Sequence, residues 1–481
     1  MMLDAMSLTA EDNQFLKGIY QSLQDDATGL DPDDPNEKKR ELYEKLYVPV
    51  YSSDGCEDPV DLLHTNIKFS EFESLQMFSG FRGSGKTTEL KRLRKKLKDE
   101  GYLVLYANAL DYLNPAEPLE ITDLLIVLAG AFSDALTAEF GVEIAGESYW
   151  TRFKNYLINT ELTLTDATLK LEANTALKDV VGGVKTGVDV KAALRTAPSF
   201  RQKLQVFLKD RLNELKKQVN EFVNEGVLEV HRRIGDDTKI VFIFDSLEQL
   251  RGSLSTEKSI LDSVEYLFNQ HSNLLSLPFL HCIYTVPPWL KITHPNIARF
   301  VMLPSVRQWD NDDNRTQFLP GWNSLRAVVN KRMGGKDGCV RFFGMPDAEG
   351  NHPLADRLVE VCGGHFRDLL LLLREAVVRA KSLPVNEQVI NAAIISVRRN
   401  FLPIFTEDAK WLDMIANSRK AEAPDGIADS AMRLTRLLDT HFVLYLTNGD
   451  DWYDIHPLIR DEVAAIVKRH KEIDSSEPTA T

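Results

Sequence analysis

Cysteine is scarce: the 481 residues contain four, Cys56, Cys282, Cys339 and Cys362, and none stands in a C-x-x-C pair. That excludes a disulfide scaffold, speaks against a zinc ribbon or thioredoxin-type site, and points to a reducing compartment. Long apolar runs are also missing. The longest, Leu124 to Phe132, falls far short of the ~20 residues that span a bilayer. The first residues, Met-Met-Leu-Asp-Ala, lack the basic and then apolar pattern of a signal peptide. A cytoplasmic chain without a membrane partner is expected. Positive charge is in deficit, with 57 Lys+Arg against 71 Asp+Glu and a net charge of −14, which argues against bulk coating of nucleic acid. There is no internal repeat and no low-complexity tract. What remains is ordinary globular material, 43% hydrophobic and 27% charged, with a length that suggests about three domains.

Residues 1–40 read as a polar lead-in, dense in acid and proline (Asp25, Asp26, Asp31, Pro32, Asp33, Asp34, Pro35), for which mobility is expected. Ser74 to Phe78 reads as a strand, and a helical stretch follows from Lys86 to about Lys98. Tyr102 to Ala107, Lys239 to Phe244, Leu280 to Thr285 and Phe300 to Leu303 read as further strands, with a helix over Ile121 to Leu136. Strands alternating with helices imply crossovers and a parallel sheet. An insertion at about 160–235 carries a long amphipathic helix (Phe200, Leu204, Leu208, Leu212, Leu215, Val219, Phe222), preceded by a hairpin pattern around Gly182-Gly183 between Leu169 and Leu194. Helices follow Ser305. Near the end, Phe442 to Leu446 and Trp452 to Ile455 flank Asn448-Gly449, a hairpin within helices, which reads as a winged helix.

Gly80-Phe-Arg-Gly83-Ser84-Gly85-Lys86-Thr87-Thr88 has the spacing G-x-x-x-x-G-K-[ST] between a strand and a helix. Such glycines let backbone N–H groups turn toward phosphate oxygens, and the helix N-terminus adds its dipole. Lys86 is expected to reach the β- and γ-phosphates and Thr87 to offer its hydroxyl to Mg²⁺. Ile240 to Asp245 delivers one carboxylate at a strand's C-terminal end, where ligands of open α/β sheets bind, so Asp245 is the second expected Mg²⁺ contact. Glu248, three residues on, is placed to orient attacking water, with a surface acid as the bland alternative. Thr285 ends the next strand as a polar group near the γ-phosphate, or as a plain strand-end residue. Arg299 before the last strand is a candidate finger toward a neighbouring subunit, or a surface arginine. Gly363-Gly-His-Phe-Arg367-Asp368 opens a helix and would set Arg367 near the phosphates, unless it is a simple capping turn.

Taken in order, these landmarks resemble the STAND and initiator-type clades of AAA+ P-loop ATPases, over roughly Leu46 to Val467. The resemblance implies an α/β fold: a parallel-sheet P-loop ATPase core at 41–310, a helical lid at 311–385 and a C-terminal winged helix at 386–481. It implies ATP/ADP and Mg²⁺ as ligands, with Gly80, Gly83, Ser84, Gly85, Lys86, Thr87, Thr88, Arg367 and His456 around the nucleotide. In STAND proteins a winged-helix histidine contacts the ADP β-phosphate, and Tyr453-Asp-Ile-His456-Pro is similar to that motif, with Pro457 in place of the usual acid. A core histidine is the alternative. Ser246, where many AAA+ proteins carry the catalytic acid, implies slow hydrolysis. The implied function is an ATP-binding, slowly hydrolysing switch that changes conformation or forms a homo-oligomer. It would act through a separate effector protein, in a setting such as bacterial defence. The alternative is an initiator-like DNA-binding ATPase using the winged helix. Against DNA stand 12 Lys+Arg and 16 Asp+Glu in 381–481, a net of −4. The basic stretch Lys91 to Lys98 reads as a solvated helix face.

Overall fold

The expected strands assemble into one sheet. In the computed structural model β1 (Ser74–Gly80), β2 (Leu103–Asn108), β3 (Ile240–Asp245), β4 (Leu280–Val286) and β5 (Phe300–Leu303) lie in the order β2-β3-β4-β1-β5. The pairs β1–β4, β2–β3 and β3–β4 are parallel, with Phe78 opposite Thr285 and Asn108 opposite Asp245. Every residue of β3 and β4 is buried, as expected of a parallel sheet covered on both faces. The structure describes residues 8–24, 29–52, 57–140, 153, 198–250, 256–293, 299–422 and 430–476. The hairpin expected between Leu169 and Leu194 lies outside these, as does Cys56.

The chain divides into two compact units. One comprises Leu62–Ser79 and Leu93–Val301, and the other Met1–Asp61, Gly80–Arg92 and Met302–Thr481. In the first, the long helix Ile121–Phe140 is buried continuously from Ile121 to Phe132. By length and composition it could cross a membrane, but 78% of its apolar window is buried inside the structure, as befits a core helix. It packs on Leu212–Ile234, with Phe132 and Phe222 edge to face at 6.4 Å. The amphipathic helix expected from Phe200 to Phe222 is broken. Pro198–Leu208 and Leu212–Ile234 are joined by a 3-10 turn over Lys209–Arg211. Leu204, Leu208, Leu215, Val219 and Phe222 still bury one stripe.

The second unit corrects the expectation of a mobile lead-in. Ala10–Ser22 and Glu37–Leu46 are helices, the first opened by a capping box between Thr9 and Asp12. Leu16, Ile19 and Leu23 recur at helical spacing and are buried, and Arg341 pairs with Asp12 at 2.9 Å. Both prolines and Asp31, Asp33 and Asp34 lie in the link between the two helices, so composition averaged over forty residues hid a short amphipathic helix. The lid consists of Leu319–Arg332, Gly335–Phe343, Pro353–Val361 and Phe366–Arg379. Beyond it, Glu387–Arg398, Thr406–Ser418, Ser430–Asp439 and Arg460–Ser476 surround the antiparallel hairpin β6 (Val443–Thr447) and β7 (Asp451–Ile455). This is the winged-helix arrangement that the sequence suggested. Leu444, Leu446 and Trp452 form a buried cluster within the hairpin.

A buried ion pair holds Pro198–Leu208 against the core helix. Arg201 Nε donates to Asp123 Oδ2 at 2.8 Å and Gln205 Nε2 donates to the same oxygen at 2.6 Å. Without Asp123, Arg201 keeps only the less buried Glu117 and the Pro118 carbonyl as partners. Asp123→Ala is therefore expected to destabilise the chain by about 3–5 kcal/mol in urea unfolding. Asp123→Asn, which keeps acceptor capacity, should cost less.

Candidate active site

The phosphate-loop half is built within the second unit. β1 ends at Gly80, the chain turns, and the helix Lys86–Asp99 begins at the lysine of the motif. Gly83 and Gly85 take φ of 85° and 95°. At Gly83 the need for glycine is also spatial, because a Cβ would meet Arg367 Cβ at 2.6 Å. Lys86 Nζ donates to the carbonyls of Gly80 (2.9 Å) and Phe81 (3.0 Å), so the ammonium lies buried beneath the loop. Ser84 Oγ donates to Phe81 O at 2.8 Å, and Tyr51 OH donates to Ser84 O at 2.6 Å. The result is a braced glycine turn at a helix N-terminus, the arrangement that binds anionic oxygens. Thr87 is half-buried in the first turn. Thr88 Oγ1 accepts from Leu30 N at 3.1 Å, so the N-terminal segment engages it.

The basic stretch on this helix is not the solvated face expected from the sequence: its cations are half-buried and pair with nearby carboxylates. Lys91 pairs with Asp31, Arg92 with Asp58 and Glu89, Lys95 with Asp99, and Lys98 with Glu139. Burial pushes the Glu89 carboxyl up against the opposing pull of Arg92.

The glycine turn before Phe366–Arg379 docks on this loop. Arg367 N donates to Gly83 O at 3.2 Å, and His365 Nε2 lies 3.0 Å from Arg82 O. The Arg367 side chain lies against Gly83. Gly364, at φ 73°, sits so close to Val306 that a Cβ would be 1.9 Å from its carbonyl oxygen.

His456 is placed otherwise than the resemblance implies. It is fully buried, its Nδ1 accepts from Leu458 N at 3.2 Å, and its Nε2 lies 3.3 Å from Asp368 Oδ2. Its burial matches the alternative reading, a core histidine. The same Oδ2 lies 2.6 Å from His365 Nδ1 and 3.7 Å from His441 Nδ1. Burial alone would raise the Asp368 pKa, but the charge and hydrogen bonds of the surrounding imidazoles hold it well below the ordinary value. Burial, followed by the charge of His365, pushes His441 down to about 3.

The strand-end half lies in the first unit. Asp245 is buried, with Oδ1 accepting from Ser246 N at 2.7 Å and Oδ2 from the Tyr106 hydroxyl. Burial and the adjacent Asp245 charge keep the Tyr106 phenol protonated, and so a donor. Ser246 is left-handed at φ 75°, an uncommon conformation for serine, which turns the chain sharply into the 3-10 turn Leu247–Gln249. Thr285 is fully buried and accepts the Leu247 N–H at 3.1 Å, so its hydroxyl pins the turn that carries the half-buried Glu248. Arg299 is exposed, with φ 55°, at the start of β5, and its carbonyl accepts from Met77 N at 3.1 Å.

Sequence reasoning missed Tyr106, His365, Asp368 and His441. His365 and Asp368 carried a usable signal, an i,i+3 pair at a helix start. Tyr106 and His441 reach their partners only through the tertiary fold.

No family model and no curated protein matches the chain. Solved structures resemble it loosely. The ORC2 protein of Aeropyrum pernix, in ADPNP-ADP complexes, is 11% identical over 95% of this chain and 98% of its own, with a TM-score of 0.35. The Walker-type ATPase paby2304 of Pyrococcus abyssi is 13% identical over 86% and 95%, with a TM-score of 0.32. Cdc6p of Pyrobaculum aerophilum is 11% identical over 94% and 98%, with a TM-score of 0.31. None of the three is named as a STAND protein, and TM-scores this low are too weak to carry a functional assignment across.

The Tyr106 bond gives a test confined to the strand-end half. A hydrogen bond to a buried charge is worth about 1.5–3 kcal/mol. Tyr106→Phe should lower unfolding free energy by that amount, and Tyr106→Phe with Asp245→Asn should cost less than the two singles added together.

Proposed function

We propose that the chain is an ATPase that binds ATP-Mg²⁺ through Lys86, Thr87 and Asp245. The observation that carries the reading is the braced phosphate loop. It places the Lys86 ammonium against two loop carbonyls at the start of the helix Lys86–Asp99. On binding, the ammonium exchanges those carbonyls for the terminal phosphates. Asp245, at the end of a fully buried strand, is the metal-side acid, and Glu248 orients the attacking water. Arg367 supplies a lid cation beside the loop. Arg299, exposed before β5, is the residue that would reach a neighbouring subunit's nucleotide in a homo-oligomer.

Of the two finer readings, an initiator-like ATPase that brings its winged helix to DNA agrees with the names of the solved neighbours. A switch acting on a separate effector is the other. The net charge of −4 over 381–481 weighs against DNA, and the Asp368 bonds that couple loop, lid and wing serve either output. Salt-dependent duplex binding in a gel-shift assay would select the initiator-like reading, and its absence would select the switch.

Lys86→Ala is expected to abolish ATP binding in calorimetry, since the loop loses its buried ammonium. Glu248→Gln is expected to keep near-normal affinity and to slow turnover by ~10²–10⁴-fold in single-turnover hydrolysis, because only the chemical step needs the carboxylate. Wild-type affinity in the first variant would remove the loop from the reading. Wild-type turnover in the second would move the base elsewhere.

A further inference from the structure

Behind the phosphate loop lies a buried group of donors to which the nucleotide chemistry gives no role. His365, Asp368 and His441 each present one atom, all within 4.8 Å of one another, and all three residues are buried. They come from three places in the chain: the turn before Phe366–Arg379, the first turn of that helix, and the residue just before Phe442 and β6. His441 holds a left-handed backbone at φ 61° to face inward, and its Nε2 has no hydrogen-bond partner. Its ring lies 3.9 Å from that of His365, centroid to centroid.

The hydrogen-bond inventory shows what the group lacks. The Arg82 carbonyl can only accept, so the 3.0 Å contact fixes the proton of His365 on Nε2. Nδ1 faces Asp368 Oδ2 at 2.6 Å, a contact bridged either by a second proton on His365 or by another cation in its place. His456 does not supply that cation. Its Nδ1 accepts the Leu458 N–H, so its Nε2 carries the proton, and that nitrogen lies 3.3 Å from Asp368 Oδ2 without making a hydrogen bond to it. An imidazole oriented by a backbone carbonyl on its far nitrogen, as His365 is by Arg82, is a usual support of a metal ligand.

We propose that His365 Nδ1, His441 and Asp368 bind one divalent first-row transition ion, Zn²⁺ in the first instance, which ties the phosphate-loop turn to the wing. Two imidazoles and one carboxylate suit that class of ion, and Asp368 can complete four donors by binding through both oxygens. Donors at about 2.0–2.2 Å from a tetrahedral ion stand about 3.4 Å apart, so the 2.6 Å contact between His365 and Asp368 opens as the ion enters. The ion displaces the proton that otherwise bridges His365 and Asp368, so binding releases about one H⁺ per ion. With the donors buried, the ion is structural. This site stands or falls independently of the nucleotide reading, and its test contains no nucleotide.

The test uses the full chain, purified without an affinity tag that binds metal, stripped with a chelator and titrated with Zn²⁺ in two buffers of different ionisation enthalpy. Elemental analysis before stripping should find about one zinc per chain. Calorimetry should find one tight site with about one proton released. Co²⁺ in place of Zn²⁺ should give the intense visible bands of a four-coordinate site. His365→Gln, His441→Gln and Asp368→Asn should each abolish the tight site, while His456→Gln should weaken it by about 10–100-fold. If the variants fold poorly, the Co²⁺ spectrum of the unaltered chain still decides. A weak six-coordinate spectrum, no tight Zn²⁺ site, or unchanged affinity in the Asp368→Asn variant would overturn the proposal and leave a proton as the bridging cation.

Discussion

The carboxylate of Asp368 is the constraint on which the second unit depends. A buried carboxylate is tolerated only when other groups compensate its charge, and here compensation comes from imidazoles on three separate segments. His365 passes the constraint to the phosphate loop through the Arg82 carbonyl. His441 and His456 pass it to the two ends of the wing hairpin, where His456 N also donates to Phe442 O at 2.9 Å. Ser305 N donating to Tyr445 O and Val306 N donating to Gly364 O lace the same segments together on the backbone. Any displacement of the loop at Arg82 is therefore felt at the hairpin without a long chain of intermediates, since the loop, the carboxylate and the wing meet at adjacent atoms.

The strand-end half follows a different logic. β3 is driven into the sheet by six consecutive buried residues, and its last residue must be an acid held still. Ser246 in the left-handed region, the Thr285 hydroxyl on Leu247 N and the Tyr106 phenol all serve to fix Asp245 and the turn bearing Glu248. The strain at Ser246 is offset by these bonds, a common condition at sites where geometry matters more than local comfort.

Much of this was legible in the sequence because it rests on local pattern. Short apolar runs located all five strands, continuous in β3 (Ile-Val-Phe-Ile-Phe) and broken by polar residues in β1, where the glycine motif that follows supplied the context. The glycine spacing from Gly80 to Gly85 located the phosphate loop, because only glycine tolerates its φ values. What escaped was set by tertiary placement. The lead-in helix was masked by the acidic link beside it. Nothing local announces that His456 is buried with its Nε2 3.3 Å from Asp368, nearly ninety residues earlier. Thr285 was legible as a polar strand end, but its bond to Leu247 N depends on the pairing of β3 with β4. Tyr106 reaches Asp245 through the register of β2 on β3.

The central claim is that the phosphate loop and the wing are coupled through Asp368. Hydrogen–deuterium exchange of the chain with and without ATP-Mg²⁺ tests it most directly. The account predicts that ATP changes the exchange of 363–368 and of 441–456 as well as of 80–92, and that Asp368→Asn confines the change to the loop. A nucleotide effect limited to 80–92 in the unaltered chain would contradict it.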